Sequence, residues 1–194
     1  MEIILYSILA YLIGSIPFGL IVGKIFGKDV RKEGSGNIGA TNVTRVIGKK
    51  AGLLVLFLDA VKGFLPVYYL ISKGYPSKIV SVVSIFAVVG HTFSIFLKFK
   101  GGKGVATALG VLLALNTKVS IIILMLWIGI FLTTGYVSLA SIISASISWV
   151  VLHILSGDIY YTYAAFFIAL IIIFKHKSNI ERLLEGKEHR FIHK

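Results

Sequence analysis

The 194-residue chain contains no cysteine, so disulfides, thiolate metal sites and a cysteine nucleophile are excluded. Charge is scarce too: Asp, Glu, Lys and Arg make up 14% of the residues, 8 acidic against 20 basic. The sequence shows no evident cluster of acids suited to a divalent cation, and no metal or other cofactor is expected. The nucleotide-binding spacing G-x-x-x-x-G-K-[ST] is missing. No Ser-His-Asp set and no internal repeat stands out. The N-terminus has no basic leader. Its first charge is Glu2, and no small-residue cleavage pattern follows, so the opening apolar run reads as a retained span rather than a signal peptide.

What the chain has in abundance is apolar surface: 57% of residues are hydrophobic and the mean hydropathy is +0.92. A soluble domain can bury one or two long apolar runs, not six or seven. The pattern is that of an all-α integral membrane protein, with residues 1–194 as a single membrane domain. Spans are expected at 3–22, 52–71, 79–97, 105–115, 119–133, 137–155 and 159–174. Several fall short of the roughly 20 residues of a full crossing, 105–115 most of all. That run can instead join the next through Asn116, Thr117 and Lys118 as one long helix, leaving six spans.

Basic residues separate the two counts. Under seven spans, one side receives Lys24 to Lys50, Lys98 to Lys103 and Lys175 to Lys194, sixteen positive residues in all. The other side receives three, Lys73, Lys78 and Lys118, while Lys62 lies inside a span. Positive loops stay cytoplasmic. The expectation is therefore seven transmembrane helices, N-terminus outside and C-terminus cytoplasmic. The formal charge of +12 would suggest nucleic acid on a soluble protein; here the charges mark topology, and no nucleic-acid partner is expected.

Three segments rich in glycine and polar residues fall on that basic side: SGNIGATNVTR (35–45), KGGKGVAT (100–107) and HKSNIERLLEGKE (176–188). The first contains a formal G-x-G-x-x-G, with Asp59 twenty positions beyond Gly39, but it follows no strand and precedes a span, so the dinucleotide reading fails. A helix starting near Asn37 would put Asn37, Thr41 and Arg45 on one face. In the second segment, three glycines around Lys103 would let backbone approach a ligand, and the N-terminus of the following helix would point at it. In the third, His176, Asn179 and Arg182 recur at helical spacing, while Lys187, Arg190 and Lys194 read as lipid-facing charge. Asp59 and Lys62 read as a neutralised pair inside a span, about 10–15 Å from the loops by helix rise, and His91 as a packed, hydrogen-bonded side chain.

Together the three segments closely resemble the bacterial acyl-phosphate:glycerol-3-phosphate acyltransferases, the PlsY family. That family carries SGNxGATNxxR, KGGKGVAT and HRxNIxRLxxGxE in this order on cytoplasmic loops; Lys177 replaces the usual arginine of the third. GSIPFG in the first span and DAVKG in the second are similar too, so the resemblance covers nearly the whole chain. It implies a multi-pass enzyme of the bacterial inner (cytoplasmic) membrane. The enzyme would pass an acyl group from acyl phosphate to the 1-hydroxyl of glycerol-3-phosphate, giving lysophosphatidic acid and phosphate. Its partners would be those two substrates and membrane lipid. As catalytic residues the resemblance implies Ser35, Arg45, Lys103 and His176. As substrate-binding residues it implies Gly36, Asn37, Gly39, Thr41, Asn42, Gly101, Gly102, Gly104, Thr107, Asn179, Arg182 and Glu188.

An acyl phosphate is already activated, so positioning and phosphate neutralisation can carry most of the catalysis. The base is either His176 or a substrate phosphate. HILSGD (153–158) matches the H-x-x-x-x-D pattern of another class of glycerolipid acyltransferases, but it falls on the outer side and is set aside. The competing classes are a small transporter for a phosphorylated solute and a lipid-binding module without turnover.

Overall fold

The structure is a computed structural model and describes residues 1–191. The expected role of Lys194 lies outside the described residues. Among them there are ten α-helices and no strand. They are α1 (Glu2–Ser15), α2 (Phe18–Ile25), α3 (Ala40–Val46), α4 (Lys49–Ser72), α5 (Ser77–Thr92), α6 (Val105–Leu115), α7 (Thr117–Thr134), α8 (Val137–Ser156), α9 (Ile159–Lys175) and α10 (Lys177–Leu184). A 3₁₀ turn, Ile95–Leu97, follows α5.

Local chemistry sets the breaks. Pro17 cannot donate a backbone hydrogen bond and restricts the residue before it, so the first apolar run splits into α1 and α2 at Ile16. Asn116 leaves the helical region (φ −160°) and its side chain accepts from Val119 N, so α6 and α7 are separate helices rather than one long one. Gly135 and Gly157, both left-handed, close α7 and α8. Asp158 then caps α9 through the N–H groups of Tyr160 and Tyr161. HILSGD is thus a helix junction.

Five helical segments are long and apolar enough to cross a membrane: Glu2–Ile25, Lys49–Ser72, Ser77–Leu97, Thr117–Thr134 and Val137–Ser156. A sixth is made if α9 is joined to α10 across a 59° bend, and α6 is a shorter apolar helix. Large side chains such as Ile4, Leu53, Phe57, Met125 and Phe174 lie on the outside, as a lipid-facing surface requires.

With no hydrophobic drive between helices in lipid, close packing depends on small residues. α1 and α5 meet where Gly14 faces the Ala87 carbonyl and Gly90 faces that of Tyr11. α4 and α6 meet where Gly63 faces Thr107 and Gly110 faces Ala60. A β-carbon at any of these glycines would collide with backbone. Val67, Leu70, Val83, Val88, Val111 and Ile172 fill the centre. Beyond it, the ends of α2, α5, α9 and α10 and the starts of α3, α6 and α8 carry the polar segments.

Candidate active site

In the first segment the chain does not become helical at Asn37. The Asn37 side chain accepts the Gly39 N–H at 2.8 Å, a local turn that competes with the helix, and α3 begins at Ala40. Asn37 therefore leaves the expected face; Thr41 and Arg45 keep it. Gly34 and Gly36 have φ of 60° and 69°, left-handed turns that suit glycine. Gly39 sits extended as the cap of α3. Asn42 is 1% exposed. Its amide oxygen accepts Ser35 N–H, and its nitrogen donates to the carbonyls of Val30, Glu33 and Asn37. With its whole amide committed to the loop backbone, Asn42 shapes the turn rather than contacting substrate. The exposed Ser35 hydroxyl has no partner among the described residues.

The glycines of the second segment also have another use. Gly101 N–H and Gly102 N–H are spent on the carbonyls of Thr92 and His91. A β-carbon on Gly101 would strike the His91 carbonyl, and one on Gly102 the His91 ring. These two glycines are small for packing and do not offer donors to a ligand. Gly104 (φ 87°) turns the chain into α6. Thr107 is fully buried against Gly63 of α4, and its hydroxyl has no partner among the described residues.

The third segment supplies the hub. On α10, Asn179 and Arg182 stand three residues apart, and Gly186 (φ 68°) turns the chain back so that Glu188 meets both. One Glu188 carboxylate oxygen accepts from Asn179 Nδ2 at 2.7 Å and from Ser138 Oγ of α8 at 2.8 Å; the other accepts from Arg182 Nε at 2.7 Å. Glu188 thus holds cations and amides in place. An anion so engaged anchors the cations rather than binding phosphate itself. Lys103 Nζ donates to Asn179 Oδ1, joining the second segment to the third. Arg45 lies with its guanidinium 5.6 Å from the centre of the Phe191 ring and forms no hydrogen bond or ion pair among the described residues. Arg190, expected toward lipid, bonds Tyr136 at 3.0 Å, and Lys187 pairs with Glu185.

Three cations, Arg45, Lys103 and Arg182, therefore feel one another and a single carboxylate, an excess of two positive charges. Burial pushes Lys103 down to about 8, assisted by Arg182 and Arg45 and opposed by Glu188. Burial also lowers Arg45, but a guanidinium stays charged. Burial works against the charge of Glu188, yet the bonds from Asn179, Arg182 and Ser138 outweigh it and hold that carboxyl below its ordinary value.

His176 is 2% exposed and sits at the bend between α9 and α10. Its Nδ1 lies 2.7 Å from the Ile172 carbonyl, so Nδ1 carries the hydrogen and caps the last turn of α9. Burial, then the neighbouring Lys103, push its pKa down to about 4. It is neutral at working pH but a weak base, which counts against the catalytic role expected of it. No group of three or more His, Asp or Glu side chains suited to a metal ion occurs among the described residues.

A family model described as Glycerol-3-phosphate acyltransferase matches residues 4–186. The chain belongs to this family. A glycerol-3-phosphate acyltransferase of Aquifex aeolicus is 46% identical over 192 residues, covering 98% of this chain and 100% of that protein. One of Thermotoga maritima, called Glycerol-3-phosphate acyltransferase 2, is 45% identical, covering 96% and 95%. A crystal structure of PlsY, an integral membrane glycerol 3-phosphate acyltransferase, in its glycerol 3-phosphate form superposes with a TM-score of 0.95 at 44% identity over 99% of this chain and 96% of that one. Its lysophosphatidic acid form gives 0.93 at 43%, covering 98% and 95%. The resemblance to PlsY and the all-α membrane fold are borne out.

Sequence reasoning missed Ser138, which nothing marks at the start of α8, and Phe191, which follows the last motif. It also missed that His91 touches the Lys103 loop.

Proposed function

We propose that this chain transfers an acyl group from acyl phosphate to the 1-hydroxyl of glycerol-3-phosphate on the cytoplasmic face of a bacterial inner membrane, without metal or nucleotide. One observation carries the reading: Arg45, Lys103 and Arg182 converge from three distant segments on one carboxylate, leaving two positive charges in excess. A phosphate monoester carries about two negative charges near neutral pH. Arg45, free to offer a bidentate fork, and Lys103 are the phosphate ligands. Thr41 shares the Arg45 face, and the Ser35 hydroxyl is free to bond a substrate oxygen. The 1-hydroxyl oxygen attacks the acyl carbonyl carbon, the ester C–O bond forms, the C–O bond to phosphate breaks, and the departing phosphate takes the hydroxyl proton. His176, held at Nδ1 and pushed down to about 4, is the poorer acceptor.

Seven crossings with the C-terminus cytoplasmic remain the proposed topology. Lys103, His176 and Ser138 lie where α6 starts, α9 ends and α8 starts, so successive helices approach and leave the motif face in alternation. Reporter fusions at residues 73–78 and at 194 are expected on opposite sides; the same side for both overturns the topology.

The function is tested by phosphate release from purified protein given acyl phosphate and glycerol-3-phosphate in EDTA. Release is expected, in step with lysophosphatidic acid. A strict magnesium requirement, or faster use of acyl-CoA, overturns the donor assignment. Binding of both substrates without turnover makes the protein a lipid-binding module instead.

A further inference from the structure

The last carbonyls of an α-helix have no partner within it. At the end of α5 they are taken up by distant chain: His91 O accepts Gly102 N–H at 3.0 Å, and Thr92 O accepts Gly101 N–H at 3.2 Å and Lys175 Nζ at 3.1 Å. The Gly101–Gly102 backbone lies so close to His91 that neither residue has room for a β-carbon. Lys103 is the next residue, so its starting point is fixed by where His91 sits.

His91 is itself held from behind. Its ring is 4% exposed, and its Nδ1 stands 3.6 Å from Asp59 Oδ1, outside direct bonding distance but within strong electrostatic reach. Asp59 Oδ1 is 2.7 Å from Lys62 Nζ. Lys62 Nζ also donates, at 2.8 Å, to the carbonyl of Ile16 at the proline break between α1 and α2, which accepts Phe18 N–H at 3.1 Å as well. The contacts run without interruption from that break through Lys62, Asp59 and His91 to Gly102. A simple packing pad under Gly102 needs no charge. Three ionisable side chains in a dry membrane interior are costly, and such groups default to a function.

We infer that His91, held in place by Asp59 and Lys62, is a positioning residue for Lys103, setting the point from which Lys103 reaches a substrate phosphate. This rests on the reading of Lys103 as a phosphate ligand. The test is steady-state kinetics of the full chain with acyl phosphate and glycerol-3-phosphate for His91→Ala, His91→Gln and Gly102→Ala, each alone and combined with Lys103→Ala. Misplacing a binding group by about an ångström can cost up to about a hundredfold, so kcat/KM should fall on that order, mainly through KM, when assayed at a temperature where each variant is still folded. Burial of the ring means that thermal stability falls too. His91→Gln should recover part of the loss. In the Lys103→Ala background, His91→Ala should cost almost nothing further, because both act through one group. The alkaline rise in KM that belongs to Lys103 should also move to higher pH in His91→Ala, as the loosened loop lets water in. If His91→Ala does not fold, Gly102→Ala probes the same contact from the loop side. Losses that simply multiply, or that track thermal stability with KM unchanged, overturn this inference alone. Normal turnover of Lys103→Ala overturns the phosphate-ligand reading and this inference with it.

Discussion

Two clusters in this molecule are made of the same parts, a carboxylate among cations, and come out differently. Around Asp59, one lysine and one histidine share an enclosed space: the side chains of Asp59 and Lys62 are 3% and 2% exposed, and the ring of Phe18 lies 5.6 Å from the lysine nitrogen. Around Glu188, the carboxylate is 6% exposed but its partner Arg182 is 42% exposed, and Lys103 and Arg45 add charge that no second acid balances. The first cluster is neutralised and closed; the second carries spare positive charge and opens to water. Spare charge with access makes a binding site, and balance without access makes a strut.

The largest effect should fall on the open cluster. Losing one charge-assisted bond at a transition state costs about 100- to 1,000-fold, so Arg45→Ala and Lys103→Ala should lose that much in kcat/KM while folding normally. Arg45→Lys should recover little, because an ammonium cannot reproduce a two-pronged guanidinium. Near-normal turnover of either alanine variant removes that residue from the site and blurs the distinction between the clusters.

Stability should show the contrast in reverse. Asp59→Asn leaves the Lys62 cation in the dark and should cost about 3–5 kcal/mol. Asp59→Leu with Lys62→Met should restore most of it, since a closed pair can be replaced by packed apolar groups. Glu188→Gln leaves cations that reach water and should cost only about 1–3 kcal/mol. Denaturation of the four proteins in one detergent gives the comparison; equal costs for Asp59→Asn and Glu188→Gln defeat it.

A smaller effect sharpens the picture of the open cluster. A lysine is charged below its pKa, and burial has brought Lys103 down to about 8. In the free enzyme its positive charge is therefore present below about pH 8 and lost above it. KM for glycerol-3-phosphate should rise above that pH by up to about tenfold per unit, and the rise should vanish in Lys103→Arg. A flat KM from pH 7 to 10 contradicts the assignment.

The apolar runs, the order of the three motifs and their convergence were all legible in the sequence, because hydropathy and glycine-rich loops are local properties. The details that were misread depend on partners far along the chain. The helix face through Asn37 failed because that side chain caps its own turn two residues on. Gly101 and Gly102 read as ligand-cradling glycines, but the demand for small residues comes from His91, ten positions earlier. Glu188 read as a substrate contact, since only the folded chain shows Ser138 and Asn179 already bound to it. Asn42 and Thr107 fit a binding motif in sequence and turn out to be enclosed.

The smallest effect concerns His176. The amide nitrogen of asparagine falls where Nδ1 of histidine lies, and that of glutamine falls nearer Nε2. If the work of His176 is to cap Ile172, His176→Asn should stay within a few-fold of wild type, a loss comparable to a single capping bond of about 1 kcal/mol. His176→Gln and His176→Ala should then be weaker, and none should lose an acidic limb near pH 4, where His176 itself titrates. All three variants inactive points to Nε2 as the base.

The brevity of α6 has a consequence for the lipid around it. Its 11 residues rise about 16 Å, little more than half of a hydrocarbon core of about 30 Å. In the proposed seven-span topology, the polar turn that ends it, Asn116 to Lys118, would stop short of the far interface of an ordinary bilayer. Lipid would then have to thin to meet it while Lys118 stretches outward, a hydrophobic mismatch. Bilayer thickness then becomes a variable of the catalyst: reconstituted in phosphatidylcholines of increasing chain length, the protein should insert and turn over best in the thinner membranes.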